Sequence, residues 1–216
     1  EINNPHLKYL SEITDACSTL ATEVEAALNH DEFPLVLGGD HSMAIGTIAG
    51  IANHCKKHKK RFGVIWIDAH ADINTPATSP SGNIHGMPVA VSLGIGAPEL
   101  TKVGGDFTTL APHQIAMIGL RSVDEGEVAI IKKLKIEAHS MSDLDKHGVH
   151  RIIAKVLTSM RAKVDHLHVS FDLDSVDPMY APGVGTPVPG GLTYREAHLI
   201  MEAIADTGYM SSLEIA

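Results

Sequence analysis

The stretch Val64-Ile65-Trp66-Ile67-Asp68-Ala69-His70-Ala71-Asp72 decides how the chain folds. Four apolar residues in a row, without polar alternation, read as a strand buried on both faces. The D-x-H-x-D that follows places polar groups at its carboxyl end. The pattern recurs twice. Pro34-Leu35-Val36-Leu37 leads into Gly38-Gly39-Asp40-His41, and the run from His166 to Phe171 leads into Asp172-Leu173-Asp174. Three strand-like runs thus deliver carboxylates or imidazoles at their carboxyl ends.

Working outward, apolar residues from Leu7 to Leu28 recur at helical spacing and predict a helix over 5–29. A short strand at 34–37, a helix over 42–59 and a strand over 62–67 follow. Residues 73–84, rich in Thr, Pro, Ser, Asn and Gly, read as a long loop. Next come a strand over 114–120, a helix over 125–134, a strand over 136–140, a helix over 142–160 and a strand over 166–171. An irregular segment at 175–191 contains four prolines. A helix over 193–205 opens on a Thr193/Glu196 capping box, and a strand closes the chain at 209–215. Strands that alternate with helices and are apolar on both faces predict an α/β fold, with a central parallel sheet between two helical layers. In such sheets ligands bind beyond the carboxyl ends of the strands, where the three motifs lie.

The 216 residues suit one domain, with no repeat or linker. A formal charge of −9 argues against nucleic acid as partner, and no apolar stretch is long enough for a membrane helix. The basic run from Lys56 to Arg61 reads as a solvated helix C-terminus. Cys17 and Cys55 form no metal or redox motif and read as free thiols in a reducing compartment, the cytoplasm. A mitochondrial address stays open, because the chain does not begin with Met. The final apolar strand, with no helix after it, reads as a bare edge, and the chain as a piece truncated at both ends.

The residue types specify the chemistry. His41, Asp68, His70, Asp72, Asp172 and Asp174 offer two imidazoles and four carboxylates, more than one catalytic zinc takes. They suit two divalent ions with bridging carboxylates, and oxygen-rich ligation without thiolate favours Mn²⁺. Two such ions can turn water into a nucleophile near neutral pH. No G-x-S-x-G elbow or G-x-G-x-x-G loop competes with this reading.

These motifs closely resemble the ureohydrolase family, and within it the arginase branch. The resemblance rests on Leu37-Gly38-Gly39-Asp40-His41-Ser42, Asp68 to Pro76, Ser81-Gly82-Asn83-Ile84-His85-Gly86, Ser170 to Asp174, Gly185-Thr186-Pro187 and Gly190-Gly191-Leu192-Thr193-Tyr194-Arg195-Glu196. It covers nearly the whole chain. It implies the three-layer ureohydrolase fold and hydrolysis of L-arginine to L-ornithine and urea by two Mn²⁺ per subunit. One ion would be held by His41, Asp68, Asp72 and Asp172, the other by His70, Asp68, Asp172 and Asp174. Asp72 would relay a proton and His85 would shuttle it to solvent. Asn74, Ser81 and Asn83 would take the substrate α-carboxylate, Asp124 and Glu127 the α-ammonium side, and Thr186 the guanidinium end. The resemblance also implies a homotrimer, with Arg195 and Asp145 in an interface ion pair.

This sequence departs from the family pattern in places. The family's first strand is missing before Glu1, and its guanidinium-binding Glu would follow Ala216. Glu214 stands where the family has Asp, read as a minor change, and Ser122 replaces an acidic residue. The 216 residues alone are expected to fold poorly and to show weak or no activity. The alternatives are agmatinase or another guanidino or amidino hydrolase, and a catalytically silent metal-binding module.

Overall fold

The computed structural model describes residues 4–216. In chain order the elements are α1 (Leu10–Asn29), β1 (Leu35–Leu37), α2 (Ala44–Lys57), β2 (Phe62–Ile67), α3 (Pro88–Ser92), α4 (Pro98–Thr101), β3 (Ile115–Leu120), α5 (Glu125–Leu134), β4 (Glu137–Ser140), α6 (Met141–His147), α7 (Val149–Lys163), β5 (His166–Phe171), α8 (Tyr194–Asp206) and β6 (Met210–Ile215). The six strands form one parallel sheet in the order β1-β6-β5-β2-β3-β4. No helix among the described residues is long and apolar enough to cross a membrane.

Alternate residues of the central strands feed two separate cores, which makes the architecture three-layered. Val64 and Trp66 of β2, with Ile115 and Met117 of β3, pack beneath α1, α2 and α3. Ile65 and Ile67, with Ala116, Ile118, Leu167 and Val169, pack against α6, α7 and α8. β2, β3 and β5 are buried at every position, as their unbroken apolar runs predict.

The strand order positions the site. From β2 the chain moves outward to β3 and β4, then returns across β2 to β5 and moves the opposite way to β6. The loops leaving the neighbours β2 and β5 therefore diverge, and they open a crevice at the carboxyl edge of the sheet. Those loops carry Asp68–Asp72 and Asp172–Asp174.

Three expectations need correction, and one stretch without a predicted element acquires two. The first helix begins at Leu10, after Tyr9 in a left-handed conformation (φ 57°). The helix expected over 142–160 is two, α6 and α7, parted at Gly148 (φ 84°), a backbone angle that L side chains rarely adopt. The segment between β2 and β3 contains α3 and α4, each opened by a proline in its first turn, a position where the missing N–H costs nothing. Finally, β6 is no edge strand: it pairs with β5 on one side and β1 on the other. The exposed edge is β1, where Leu35 and Leu37 are 55 % and 71 % accessible.

Candidate metal centre

Three loops bring the donors together, each by a local turn rather than by strand alternation. Beyond β1, Asp40 caps a 3-10 turn, His41–Met43, by accepting the backbone N–H of Ser42 at 3.0 Å. This carries His41 from the sheet edge to its centre. After β2, Asp68 Oδ1 accepts the backbone N–H of His70 at 2.7 Å, and Asp72 adopts a left-handed conformation (φ 48°) that turns the chain back. Such backbone strain concentrates at functional sites. After β5, Asp172 caps the 3-10 turn Leu173–Ser175 by accepting the N–H of Asp174 at 2.7 Å.

The result is two donor groups that share Asp68: His41 with Asp68 and Asp172, and His70 with Asp68 and Asp174. His41 Nδ1 lies 3.0, 3.3 and 3.1 Å from carboxylate oxygens of Asp68, Asp72 and Asp172. His70 Nδ1 lies 3.0 Å from Asp174 and 3.4 Å from Asp68. Neighbouring ligands around a hard cation at about 2.1 Å with octahedral angles stand roughly 3 Å apart, so these spacings fit divalent ions. The six expected donors are thus gathered in one place, with Asp172 grouped beside His41 and Asp68.

The charge balance also calls for cations. Burial pushes the Asp72 carboxyl well above the usual range, and the adjacent Asp68 charge adds to it. Asp174 is raised by burial and by Asp68 and Asp172. Burial opposes the charge on Asp68, but hydrogen bonds with His41 and His70 outweigh it and hold that carboxyl well below its ordinary value. Burial likewise opposes protonation of His70, yet Asp174 and Asp68 push it up to about 11. A buried, mutually repelling set of carboxylates of this kind is one that divalent cations would neutralise.

Supporting contacts fix the donors. The Trp66 indole N–H donates to Asp68 Oδ2 at 3.1 Å, and its ring stacks on His41 with centroids 4.0 Å apart and planes 12° apart. His41 Nε2 is 2.7 Å from Ser170 Oγ. Thr186 Oγ1 donates to Asp174 Oδ2 at 2.9 Å. Arg121 lies beneath, donating to the carbonyls of Asp174 (2.6 Å), Ser175 (3.1 Å) and Val188 (2.6 Å). It thereby ties the 175–191 loop to the turn that bears Asp174. Trp66, Ser170 and Arg121 were not among the expected site residues. An apolar-strand Trp, a strand Ser and a lone Arg carry no local signal of such contacts.

A cavity of about 510 Å³ opens above the donors. Asn74, Ser81, His85, Asp124, Glu127 and Thr186 line it. Asn83 does not; its backbone N–H donates to Ser81 Oγ at 3.2 Å. Asn74 Nδ2 donates to Asp124 at 2.9 Å, linking two loops on the cavity wall. Glu127, expected near a substrate amine, is buried with its two oxygens accepting backbone N–H groups of Ile73 (3.1 Å) and Asp124 (2.9 Å). Its geometry is that of a brace between the metal loop and the start of α5. Arg195, expected in an interface pair, is paired with Glu202 two helical turns along α8, at 2.7 Å.

A three-layer α/β fold whose topological switch point carries two carboxylate–imidazole donor groups defines a candidate metal-binding protein of the α/β class. Comparison with known proteins narrows this. The arginase family model matches residues 2–216. The arginase of Bacillus caldovelox is 48 % identical over 214 residues, covering 99 % of this chain and 70 % of the relative. The arginase of Bacillus subtilis is 48 % identical over 212 residues, covering 98 % and 70 %. The native B. caldovelox arginase structure at pH 5.6 superposes with a TM-score of 0.96 at 47 % identity, covering 100 % of this chain and 71 % of that one. The chain belongs to the arginase family.

Proposed function

We propose that the protein hydrolyses L-arginine to L-ornithine and urea, with two Mn²⁺ held by the groups described above. The observation that carries this reading is the pair of donor groups sharing Asp68 at the floor of a polar cavity. Oxygen-rich donors without thiolate suit Mn²⁺. When bound, two such ions would supply a water-derived nucleophile near neutral pH and positive charge against the developing negative charge.

The chain's own residues divide the remaining work. His41, Asp68, Asp72 and Asp172 would hold one ion, and His70, Asp68, Asp172 and Asp174 the other. Asp72, buried against His41, would take a proton from the attacking water at its carboxylate and return it to the leaving nitrogen. His85, half-buried on the cavity wall, would pass protons to solvent. Asn74 and Ser81 would receive the α-carboxylate, with Asn83 supporting Ser81, and Asp124 would receive the α-ammonium. Glu127 would act on that ammonium through the loops it braces. Thr186 would keep Asp174 oriented toward the guanidinium end.

A site with fixed polar partners for the α-groups discriminates against substrates lacking them. Agmatine, without the carboxylate, is therefore expected to be a poor substrate. A homotrimer and a cytoplasmic location belong to the same proposal, on family resemblance and thiol content. Mn²⁺-loaded protein supplied with L-arginine should release urea and ornithine in equal amounts. No urea after loading two ions per chain, or faster putrescine from agmatine, would overturn the assignment.

A further inference from the structure

A buried polar ladder runs away from the metal centre along one face of the sheet. In β5 the face turned toward α1 and α2 carries His166, His168 and Ser170; in β6 it carries Ser212 and Glu214. All five are buried, and Glu214, His168 and Ser170 are at 0 % exposure. Hydrogen-bond directions can be assigned along it. With an ion on His41 Nδ1, Nε2 would carry the proton and donate to Ser170 Oγ, 2.7 Å away. The Ser170 hydroxyl hydrogen then needs an acceptor, and Glu214 is its register partner across the sheet.

From the far end, His166 Nε2 stands 3.1 Å from Ser212 Oγ, and Ser212 Oγ stands 2.9 Å from His168 Nδ1. If His166 donates and Ser212 passes the bond on, His168 Nδ1 is the acceptor and Nε2 bears the hydrogen. That Nε2 lies 3.4 Å from Glu214 Oε1, too poorly aligned for a hydrogen bond. His168 Nε2 and both Glu214 oxygens are left without a partner and without access to water. A buried carboxylate in that condition is costly, so its position needs a reason.

We infer that Glu214 is a positioning residue for the metal centre. With the ion in place its unpartnered oxygens would accept the Ser170 hydroxyl, its register partner, on one side and His168 Nε2–H, now 3.4 Å away, on the other. It thereby fixes the ring and tautomer of His41, with Nδ1 facing the ion. The principle is general: the second nitrogen of a metal-bound imidazole is held by an outer partner, and losing that partner typically costs about 10–100-fold in metal affinity. Here the outer partner is a hydroxyl, which can hold one direction only if its own hydrogen has a fixed acceptor. Glu214 supplies that acceptor, and the His166–Ser212–His168 run holds Glu214 from behind. The inference rests on the two-ion reading proposed above.

The test is Mn²⁺ titration calorimetry of the wild type and Glu214→Gln, alongside kcat and KM for L-arginine and thermal unfolding. Glu214→Gln should weaken one of two ions, the one beside His41, by about 10–100-fold. The other affinity should stay unchanged, as should KM at saturating Mn²⁺. Glu214→Asp, which keeps the charge, should recover most of the loss. A merely structural role would lower the unfolding temperature and leave both affinities equal to wild type, and that result overturns the inference. Should Glu214→Gln not fold, the crystal structure of the Mn²⁺-loaded wild type decides. Glu214 oxygens within hydrogen-bond distance of both Ser170 Oγ and His168 Nε2 support the role, and separation from both refutes it. Wild-type protein that binds no pair of ions would instead refute the two-ion reading itself.

Discussion

Acid should destabilise this protein through His166, at the end of β5 remote from the metal donors. The side chain is 4 % exposed, with Nε2 at 3.1 Å from Ser212 Oγ. Burial pushes its pKa down from 6.5 to about 3, and repulsion from the neighbouring basic groups His168, His54 and Lys60 adds to the shift. The His54 ring is 6.5 Å away, and the Ser212 hydroxyl is the neutral partner on β6. Between these two values the unfolded chain binds a proton that the folded chain refuses. Stability therefore rises with pH across that window: the contribution is full above about 6.5 and is lost progressively toward about 3. From pH 7.5 to 5 the group traverses some 1.5 units of the window, which at about 1.36 kcal/mol per unit amounts to about 2 kcal/mol.

Urea unfolding followed by circular dichroism, at fixed saturating Mn²⁺ and at pH 7.5, 6 and 5, measures this directly. Other groups also titrate, so the comparison is with His166→Gln, whose amide nitrogen can keep the bond to Ser212 without taking a proton. Wild type should lose about 2 kcal/mol more than the variant over that range, or about 4–8 °C in unfolding temperature for a chain of this size. Losses that agree within about 0.5 kcal/mol, the usual limit of additivity, would refute the argument.

The shared carboxylate gives the most severe expectation at the centre. Asp68→Asn should weaken both Mn²⁺ sites by more than the ~100-fold upper range for outer-shell losses, read by calorimetry, and should remove urea release with them. Arg121→Ala removes the donors to Asp174, Ser175 and Val188 carbonyls. It should cost about 2–4 kcal/mol, since bonds from a charged donor contribute about 1.5–3 each and water restores part, and it should raise KM by loosening the Thr186 loop. In Gly46→Ala the new Cβ would lie 2.5 Å from the Cys17 carbonyl oxygen, forcing α2 away from α1. Thermal unfolding should register about 1–3 kcal/mol of destabilisation, with metal affinity unchanged.

Much of the fold could be read locally because burial on both faces leaves an unmistakable mark. β2 and β5 run to the residues where their apolar stretches end, and those ends carry Asp68 and Asp172. The breaks were harder to see. Helical periodicity runs on through Gly148, although a glycine after Lys146 and His147 is a helix-stop signal, and α3 and α4 announce themselves only by Pro88 and Pro98. The edge reading of β6 failed for a different reason. Order along the chain does not state order in the sheet, and β6 is inserted between β5 and β1.

The same distinction separates the donors from what holds them. Each donor sits in a short motif whose residue types reveal its chemistry. The groups that orient the donors pair over long distances: His41 with Ser170 is a separation of 129 residues, and Ala69 with Asp174 one of 105. Nothing at Ser170, Arg121 or Glu214 points locally to its partner, because each acts only after the parallel crossovers have set β5 beside β2 and β6. The strand reversal between β2 and β5 thus does two things. It opens the crevice, and it also brings the serine on β5 under the histidine delivered from β1. A single sheet register then fixes both what the site can bind and how firmly it holds its ligands in place. The Glu214 and His166 experiments probe that coupling at its two ends. Loss at Glu214 should appear in the affinity of one ion, whereas loss at His166 should appear in the pH dependence of folding with both ions still bound.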